Sequence, residues 1–486
     1  MVILSILIMI LSIAFSSLRI TAIYYNRIAI ILLLYSGALA YSTLYTGPVG
    51  SGVGVFGGLF QVTTITQSME VFIYLVGALV LLLGENSTLI SKGKGLPVLA
   101  EYPLIVLFTV LGMSSLISSS DLVSMFLSIE LQSFAVYILA TLYRESEAAT
   151  SAGLKYFLLG SLSSALILLG SSLLYGFTGL TSFEGLYLLC STTSTSHYLE
   201  LGVLLMAIGL LFKVSAAPFH NWAPDVYDGV PTLVTSWLAI MPKISLLVFI
   251  LEFQLIFISS TQISLLLLIS ALASLIIGSV GGLLQYRIKR LLAYSTISHV
   301  GFMLFALSLN SLNGVEAFLF YLVQYTLTSV NVFFILIALG GLLPNTHSIY
   351  SPLTFINQLK GQFLPNPLLG FSLAISLLSF AGIPPLIGFF GKQMILLSAL
   401  SEGYYFILFV AILCSVVSAF YYLKIIRVIH FDSGNVSGNY VTEEHQINPL
   451  ISATIATITL ILIFFICNPT PLLNSLHLLT LSLFYW

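Results

Sequence analysis

The sequence has few charged residues and very little cysteine for its length. Of 486 residues, only 7% are Asp, Glu, Lys or Arg, against about a quarter in soluble chains, so the chain cannot supply a water-exposed surface. Its three cysteines, Cys190, Cys414 and Cys467, lie far apart, which excludes disulfide, zinc and iron–sulfur frameworks built from this chain alone. The net charge of −2 gives no electrostatic basis for binding nucleic acid.

What the chain does have is a hydrophobic fraction of 58%, arranged in long apolar runs. A helix needs about 20 such residues to cross the hydrocarbon core, and these runs are too long for transmembrane strands. Breaks at Gly, Pro and charged residues divide the chain into fourteen candidate spans: 1–18, 28–46, 69–84, 103–118, 121–143, 148–175, 199–221, 231–252, 263–285, 290–309, 314–343, 367–396, 400–427 and 449–468. The sequence predicts an all-α integral membrane protein with about 14 transmembrane helices, followed by a short helix within 469–486.

The positions of lysine and arginine test this count independently, because cations in short connections collect on one side of the membrane. With fourteen spans, eleven cations fall at connections on one side: Arg19, Arg27, Lys92, Lys94, Arg144, Arg287, Lys289, Arg290, Lys360, Lys424 and Arg427. The charged residues of the opposite side are acidic: Asp121, Glu184, Glu200, Glu252, Glu316 and Glu402. This segregation predicts an even number of spans, with both termini on the non-cytoplasmic face.

The remaining four cations lie inside apolar spans, where a lysine costs about 2.5–3.5 kcal/mol on insertion scales. A carboxylate and an imidazole lie at similar depth, so the ionisable residues within the spans are Glu130, Lys155, Lys213, Lys243, His299 and Lys392. A lysine that gains and loses an anionic neighbour can hold or release a proton near neutral pH. Lysines outnumber carboxylates here, which favours protons over metal cations. The pattern therefore predicts a proton relay.

A structural interpretation stays open beside this one, in which Glu130 and Lys213 or Lys243 form a static ion pair that only orients helices. Lys155 lies near a helix end, where its amine could reach the membrane surface. These alternatives make the same sequence pattern without any movement of protons.

Two spans carry prolines beside an intramembrane lysine. Pro218 follows Lys213 and displaces the carbonyl of Val214, while Pro384 and Pro385 precede Lys392. Irregular backbone at membrane depth persists where it is buried in protein or lines water. Each broken helix is the fourth of five spans, so 103–252 and 263–427 are predicted to be inverted five-helix half-channels. Residues 1–102 are predicted to be flanking helices, and 428–486 a loop and terminal span.

Several segments resemble the antiporter-like membrane subunits of respiratory complex I. They are SIELQSFAVYIL around Glu130, AGLKYFLLGS around Lys155, FKVSAAPFHNWAPDVYDGVPT, LAIMPK and SFAGIPPLIGFFGK, and the match covers about residues 60–430. The resemblance implies that Glu130 pairs with Lys213, that Lys243 is central, that His299 serves the second half and that Lys392 ends the relay. Lys155 would tune or supply the pair.

The resemblance also implies a cellular setting. The chain would be a multi-pass protein of the mitochondrial inner membrane, with both termini on the intermembrane-space side and with other complex I membrane subunits and lipid as partners. It would carry no cofactor itself, since NADH, FMN, iron–sulfur clusters and ubiquinone would be handled by partner subunits. Two other functions remain open, a subunit of a multisubunit cation/proton antiporter and a non-conducting membrane scaffold.

Overall fold

The computed structural model describes residues 1–15, 22–44, 46–85, 99–192, 197–258, 261–342, 351–432 and 448–484, and most of these are helical. The described part contains eighteen α-helices. The first nine are α1 (Val2–Ala14), α2 (Ala22–Thr43), α3 (Thr64–Leu82), α4 (Glu101–Ile117), α5 (Leu122–Thr141), α6 (Glu147–Thr178), α7 (Phe183–Thr192), α8 (His197–Val214) and α9 (Trp222–Gly229). The other nine are α10 (Thr232–Ile256), α11 (Thr261–Leu283), α12 (Ile288–Ser308), α13 (Leu312–Leu342), α14 (Pro367–Ala381), α15 (Ile387–Ser401), α16 (Tyr405–His430), α17 (Pro449–Phe464) and α18 (Thr470–Phe484).

Eleven of these helices are long and apolar enough to cross a membrane. Four shorter apolar helices are α1, α4, α14 and α15, and the last two are the halves of one broken helix. Counting that broken helix once gives fourteen membrane-crossing elements, as the sequence predicted. The prediction of an all-α membrane protein is confirmed, and α18 is the short helix expected near the end of the chain.

Two small features were not predicted. A two-stranded antiparallel hairpin, β1 (Val53–Val55) and β2 (Phe60–Val62), lies between α2 and α3. Its turn needs positive φ angles at three successive positions, including Gly57 and Gly58, which glycine adopts without a steric penalty. The short helix α7 follows α6, in a segment whose length of 10 residues is too small for a membrane span.

The first broken helix has a partner in the second half of the chain with the same main-chain geometry. In the first break, α8 ends at Val214, Ser215 has a φ of 67°, and the Ala216 N–H donates to the carbonyl of Leu211. In the second, α14 ends at Ala381, Gly382 has a φ of 81°, and the Ile383 N–H donates to the carbonyl of Leu378. Both are helix C-terminal motifs closed by a left-handed residue.

A second repeated motif fixes where α5 and α12 begin. The Leu122 N–H donates to the carbonyl of Thr181 at the start of α5, and the Ile288 N–H donates to the carbonyl of Thr354 at the start of α12. Leu122 and Ile288 are 166 residues apart, and Ser215 and Gly382 are 167 apart. One register therefore relates the second and fourth helices of the two halves.

This register corrects the pairing of functional residues that helix order suggested. Under it, the counterpart of His299 is Ser133 rather than Glu130, and the counterpart of Lys392 is Asp225 rather than Lys213. Asp225 and Lys392 each stand seven residues after the proline of their break, Pro218 or Pro385. The two halves share a backbone arrangement but place their ionisable side chains differently.

The cation-rich connections are partly an interface between the two halves. Arg287 and Arg290 at the start of α12 form ion pairs with Asp228 and Asp225 of α9. Lys289, which the sequence placed among the surface cations, is instead buried, and its amine donates to the carbonyl of Val230 at 2.6 Å. Arg19, Lys92 and Lys94 lie outside the described residues, as does most of the polar loop from 428 to 448.

Candidate functional site

Glu130 and Lys213 form a largely buried ion pair beside the first helix break. The Lys213 amine lies 3.6 Å from a carboxylate oxygen of Glu130, and the two side chains are 7% and 17% exposed. Lys213 also donates to the Ser133 hydroxyl at 3.2 Å, one turn along α5 from Glu130. Because Lys213 is the penultimate residue of α8, the break holds its amine against α5. The pairing predicted from the resemblance is therefore present.

A cavity of about 20 Å³ adjoins this pair. Its lining includes Gln132, Ser133, Lys213 and Pro242, so it lies between the ion pair and α10. That volume is about what a single water molecule needs, and several of the lining groups are polar. The cavity thus offers room for one hydrogen-bonded water between Lys213 and the helix that carries Lys243.

Lys243 lies in α10, the most deeply enclosed helix of the described bundle, whose most apolar 18-residue window is entirely buried. Its amine has no hydrogen-bond partner among the described residues and lies 5.5 Å from the ring centre of Tyr227. A cation over an aromatic face gains electrostatic stabilisation, which grows when water is excluded. Lys243 is therefore central, as expected, and is held by an aromatic ring rather than by a carboxylate.

Pro242 supplies polar backbone next to Lys243. A proline within a helix has no N–H, so the carbonyl four residues earlier, that of Leu238, loses its helical donor. The hydroxyl of Tyr227 donates to that carbonyl at 3.4 Å. The amide of Gln132 donates to the carbonyl of Pro242, also at 3.4 Å, and the Ser245 hydroxyl donates to the Gln132 side-chain oxygen at 3.1 Å. These groups extend the polar environment from the Glu130–Lys213 pair to Lys243.

His299 lies near the middle of α12, and only 3% of it is exposed. Its two ring nitrogens contact the hydroxyls of Tyr321 and Tyr422, at 2.7 Å and 3.1 Å. Phe380, just before the second break, packs against the imidazole with ring centres 4.8 Å apart. The histidine is therefore buried at the predicted depth, with hydroxyl partners on both sides.

Lys392 lies in α15, immediately after the second break. Its amine donates to the carbonyl of Ala381, the last residue of α14, at 2.8 Å. The final carbonyls of a helix have no partner within the helix, and a cation there is also favoured by the helix dipole. The side chain passes over Gly382, where a β-carbon would approach the Lys392 side chain to 2.8 Å. The break therefore creates the binding position for this lysine.

Lys155 is the one predicted relay residue that does not lie in the buried line. It is 57% exposed in its side chain, and its amine pairs with Asp225 at 3.2 Å. Asp225 also pairs with Arg290 across the interface between the halves. A direct role for Lys155 at the Glu130–Lys213 pair thus has no supporting contact in the described structure. Its placement agrees with the alternative that the amine reaches towards the membrane surface.

Several contributing side chains were missed in the sequence: Gln132, Ser133, Tyr227, Asp225, Tyr321 and Tyr422. Tyrosine, serine and glutamine are ordinary in membrane helices, so nothing in the sequence separated these from the rest. Asp225 did have a signal, because alignment of the two proline breaks places it opposite Lys392. Among the described residues, no group of three or more His, Cys, Asp or Glu side chains is placed to hold a metal ion.

The fold and the site define a class of protein, a polytopic membrane protein with two proline-broken helices and buried amines at their breaks. A family model described as "NADH:quinone oxidoreductase/Mrp antiporter, TM" matches residues 119–418, which is more than half of the chain. The chain belongs to this family of membrane subunits. The resemblance inferred from its motifs is thereby confirmed.

Individual relatives agree with this assignment. NADH-ubiquinone oxidoreductase chain 2 of Rhizopus oryzae is 67% identical, over 100% of both chains. A chain in the structure of respiratory complex I from Thermus thermophilus is 27% identical with a TM-score of 0.79, covering 98% of this chain and 99% of that one. A chain of the Mrp complex from a Dietzia species has a TM-score of 0.82 and covers 99% and 95%, but at 19% identity it shows a shared fold alone.

Proposed function

We propose that this chain is the chain 2 membrane subunit of proton-pumping NADH:ubiquinone oxidoreductase. Full-length identity of 67% to a protein of that name supports complex I over a cation/proton antiporter, whose related chain is only 19% identical. The observation that carries the proposal is the buried Glu130–Lys213 pair at a helix break. Such a pair is retained where an ionisable group has a function in the membrane.

The proton path follows Glu130, Lys213, Lys243, His299 and Lys392 in that spatial order. Burial brings the free energies of the charged and neutral amines close together, so a change in a neighbouring charge can move a proton on or off each lysine. The Gln132 and Ser245 side chains and the single-water cavity supply hydrogen bonds between the first pair and Lys243. Lys155 acts at a distance through Asp225, as a group that adjusts the charge near the mouth of the path.

We assign residues 103–252 and 263–427 to two half-channels, with 1–102 as flanking helices and 428–486 as a loop and terminal span. The matching hydrogen bonds at both helix breaks and at both α5 and α12 support this division. Five spans per unit is an odd number, so the two units lie inverted in the membrane. One half can then open toward each side.

The chain acts within an assembly of the mitochondrial inner membrane, with both termini in the intermembrane space. Sister antiporter-like subunits pack beside it, and lipid covers the remaining surface. NADH oxidation, flavin and iron–sulfur chemistry and ubiquinone reduction take place in other subunits. Quinone reduction there changes the charge next to the Glu130–Lys213 pair and so drives the relay.

The test replaces Lys243 with methionine in the complete enzyme, reconstituted into vesicles. Lys243→Met keeps the volume of the side chain but removes the proton carrier, so NADH-driven proton uptake should be lost. The matched control is Lys360→Met, at an exposed lysine in a connection, which should leave proton uptake unchanged. Normal uptake by a fully assembled Lys243→Met enzyme would leave the chain as a scaffold, and purification without flavin and iron–sulfur subunits would favour the antiporter.

A further inference from the structure

The environment of His299 differs from that of every other ionisable group in the buried line. Its Nδ1 lies 2.7 Å from the Tyr321 hydroxyl of α13, and its Nε2 lies 3.1 Å from the Tyr422 hydroxyl of α16. All three side chains are buried, with Tyr321 and Tyr422 essentially inaccessible. The two hydroxyls thus hold the imidazole from opposite sides, each from a different helix.

The hydrogen-bonding capacity of the imidazole limits what this arrangement can do. A neutral imidazole has one donor nitrogen and one acceptor nitrogen. One tyrosine must then donate to the ring while the other accepts from it, because both contacts are hydrogen bonds. A hydroxyl can do either, so the three groups can adopt two equivalent polarities. Charging the ring would instead leave two donor nitrogens facing the hydroxyls, at the cost of burying a charge without a counter-ion.

The tyrosines also connect His299 to its neighbours in the line. The Lys392 amine lies 5.5 Å from the ring centre of Phe302, and Phe302 stacks on Tyr321 with ring centres 5.8 Å apart. On the other side, the rings of Tyr421 and Tyr422 lie 4.5 Å apart. The Tyr321 hydroxyl thus faces the Lys392 end of the path, and the Tyr422 hydroxyl continues toward α16.

We infer that Tyr321 and Tyr422 are relay residues, and that His299 passes a proton between them by exchanging tautomers while it stays neutral. In one polarity, Tyr321 donates to Nδ1 and the Nε2–H donates to Tyr422. A proton from the Lys392 end binds the Tyr321 oxygen as the Tyr321 hydroxyl proton moves to Nδ1. The Nε2 proton then moves to the Tyr422 oxygen, whose own hydroxyl proton leaves toward the next acceptor. One proton enters and one leaves, so every group regains its initial charge.

This mechanism has a built-in consequence for leakage. After one transfer both hydroxyls and the imidazole have the opposite polarity, and a second proton cannot follow in the same direction. The hydroxyls and the ring must first return to their starting orientation. The segment therefore carries one proton per reorientation rather than conducting continuously.

The inference rests on the proposed function, and its test uses the complete enzyme in vesicles. The variants Tyr321→Phe and Tyr422→Phe remove only a hydroxyl, so the rings keep packing in place. The matched control is Tyr102→Phe, at a fully buried tyrosine of α4 whose hydroxyl has no partner among the described residues. NADH-driven proton uptake should fall about tenfold or more in each of the first two variants, as expected for loss of a proton-transfer group, and should not change in the control.

A fourth variant separates transfer from positioning. His299→Gln keeps one donor and one acceptor for the two hydroxyls but cannot exchange tautomers, so it should assemble normally and still fail to pump. Normal uptake in His299→Gln, or in both tyrosine variants, would refute the relay. Lys392→Met is measured in parallel. If it abolishes pumping while the tyrosine variants do not, only the tyrosine inference fails; if it also pumps normally, the proposed function fails with it.

Discussion

A double replacement of the Glu130–Lys213 pair separates a proton relay from a static ion pair. Removing one member of a buried pair leaves the other charge without a partner, which typically destabilises a protein by about 3–5 kcal/mol. Glu130 keeps 17% exposure and Lys213 retains its bond to Ser133, so we expect a loss near 3 kcal/mol, the lower end of that range. Replacing both members with apolar groups of similar size should restore most of this stability.

The variants are Glu130→Leu, Lys213→Met and the combination of the two. Thermal unfolding of the purified enzyme should show a lowered midpoint in each single variant, and recovery to near the original value in the double variant. NADH-driven proton uptake should be lost in all three, because apolar side chains hold no proton. A double variant that recovers both stability and pumping would show that the pair only orients helices, and the relay through it would have to be abandoned.

Two further predictions concern packing. A β-carbon at Gly388 would overlap a carbonyl oxygen of α14, so Gly388→Ala should reduce the amount of assembled enzyme on native gels; Gly176→Ala, in open space, should not, and equal assembly would contradict the close approach of α14 and α15. Thr109→Val removes the buried acceptor of the Trp237 indole N–H and should cost about 1–3 kcal/mol, lowering the unfolding midpoint without changing protons pumped per NADH. Thr459→Val, whose hydroxyl bonds only within its own helix, is the control, and an equal shift there would refute the assignment.

The sequence predicted the features that depend on residue type and spacing. Hydrophobic runs identified the membrane-crossing helices, because the lipid core sets their length and composition. The prolines located both breaks, and α8 and α14 do end at Val214 and Ala381, where the displaced carbonyls were expected. The cost of burying charge singled out Lys213, Lys243 and Lys392 as residues of interest.

What the sequence did not predict depends on how helices rotate against one another. Lys155 and Lys213 both read as intramembrane lysines, yet one is paired with Asp225 in an exposed position and the other is buried against Glu130. The tyrosines around His299 come from α13 and α16, more than a hundred residues apart, and hydroxyls in apolar helices leave no distinguishing pattern. The common register of the two halves was hidden because it lies in main-chain hydrogen bonds rather than in repeated side chains.

That last property has a consequence for how such a protein can diversify. The motifs that hold α5, α12 and the two helix breaks are made by peptide N–H and carbonyl groups, which every residue except proline supplies equally. A duplicated ancestor could therefore exchange an acid for a base at matching places, as at Asp225 and Lys392, without disturbing its architecture. The backbone acts as a reusable chassis, and each copy is free to acquire its own chemistry.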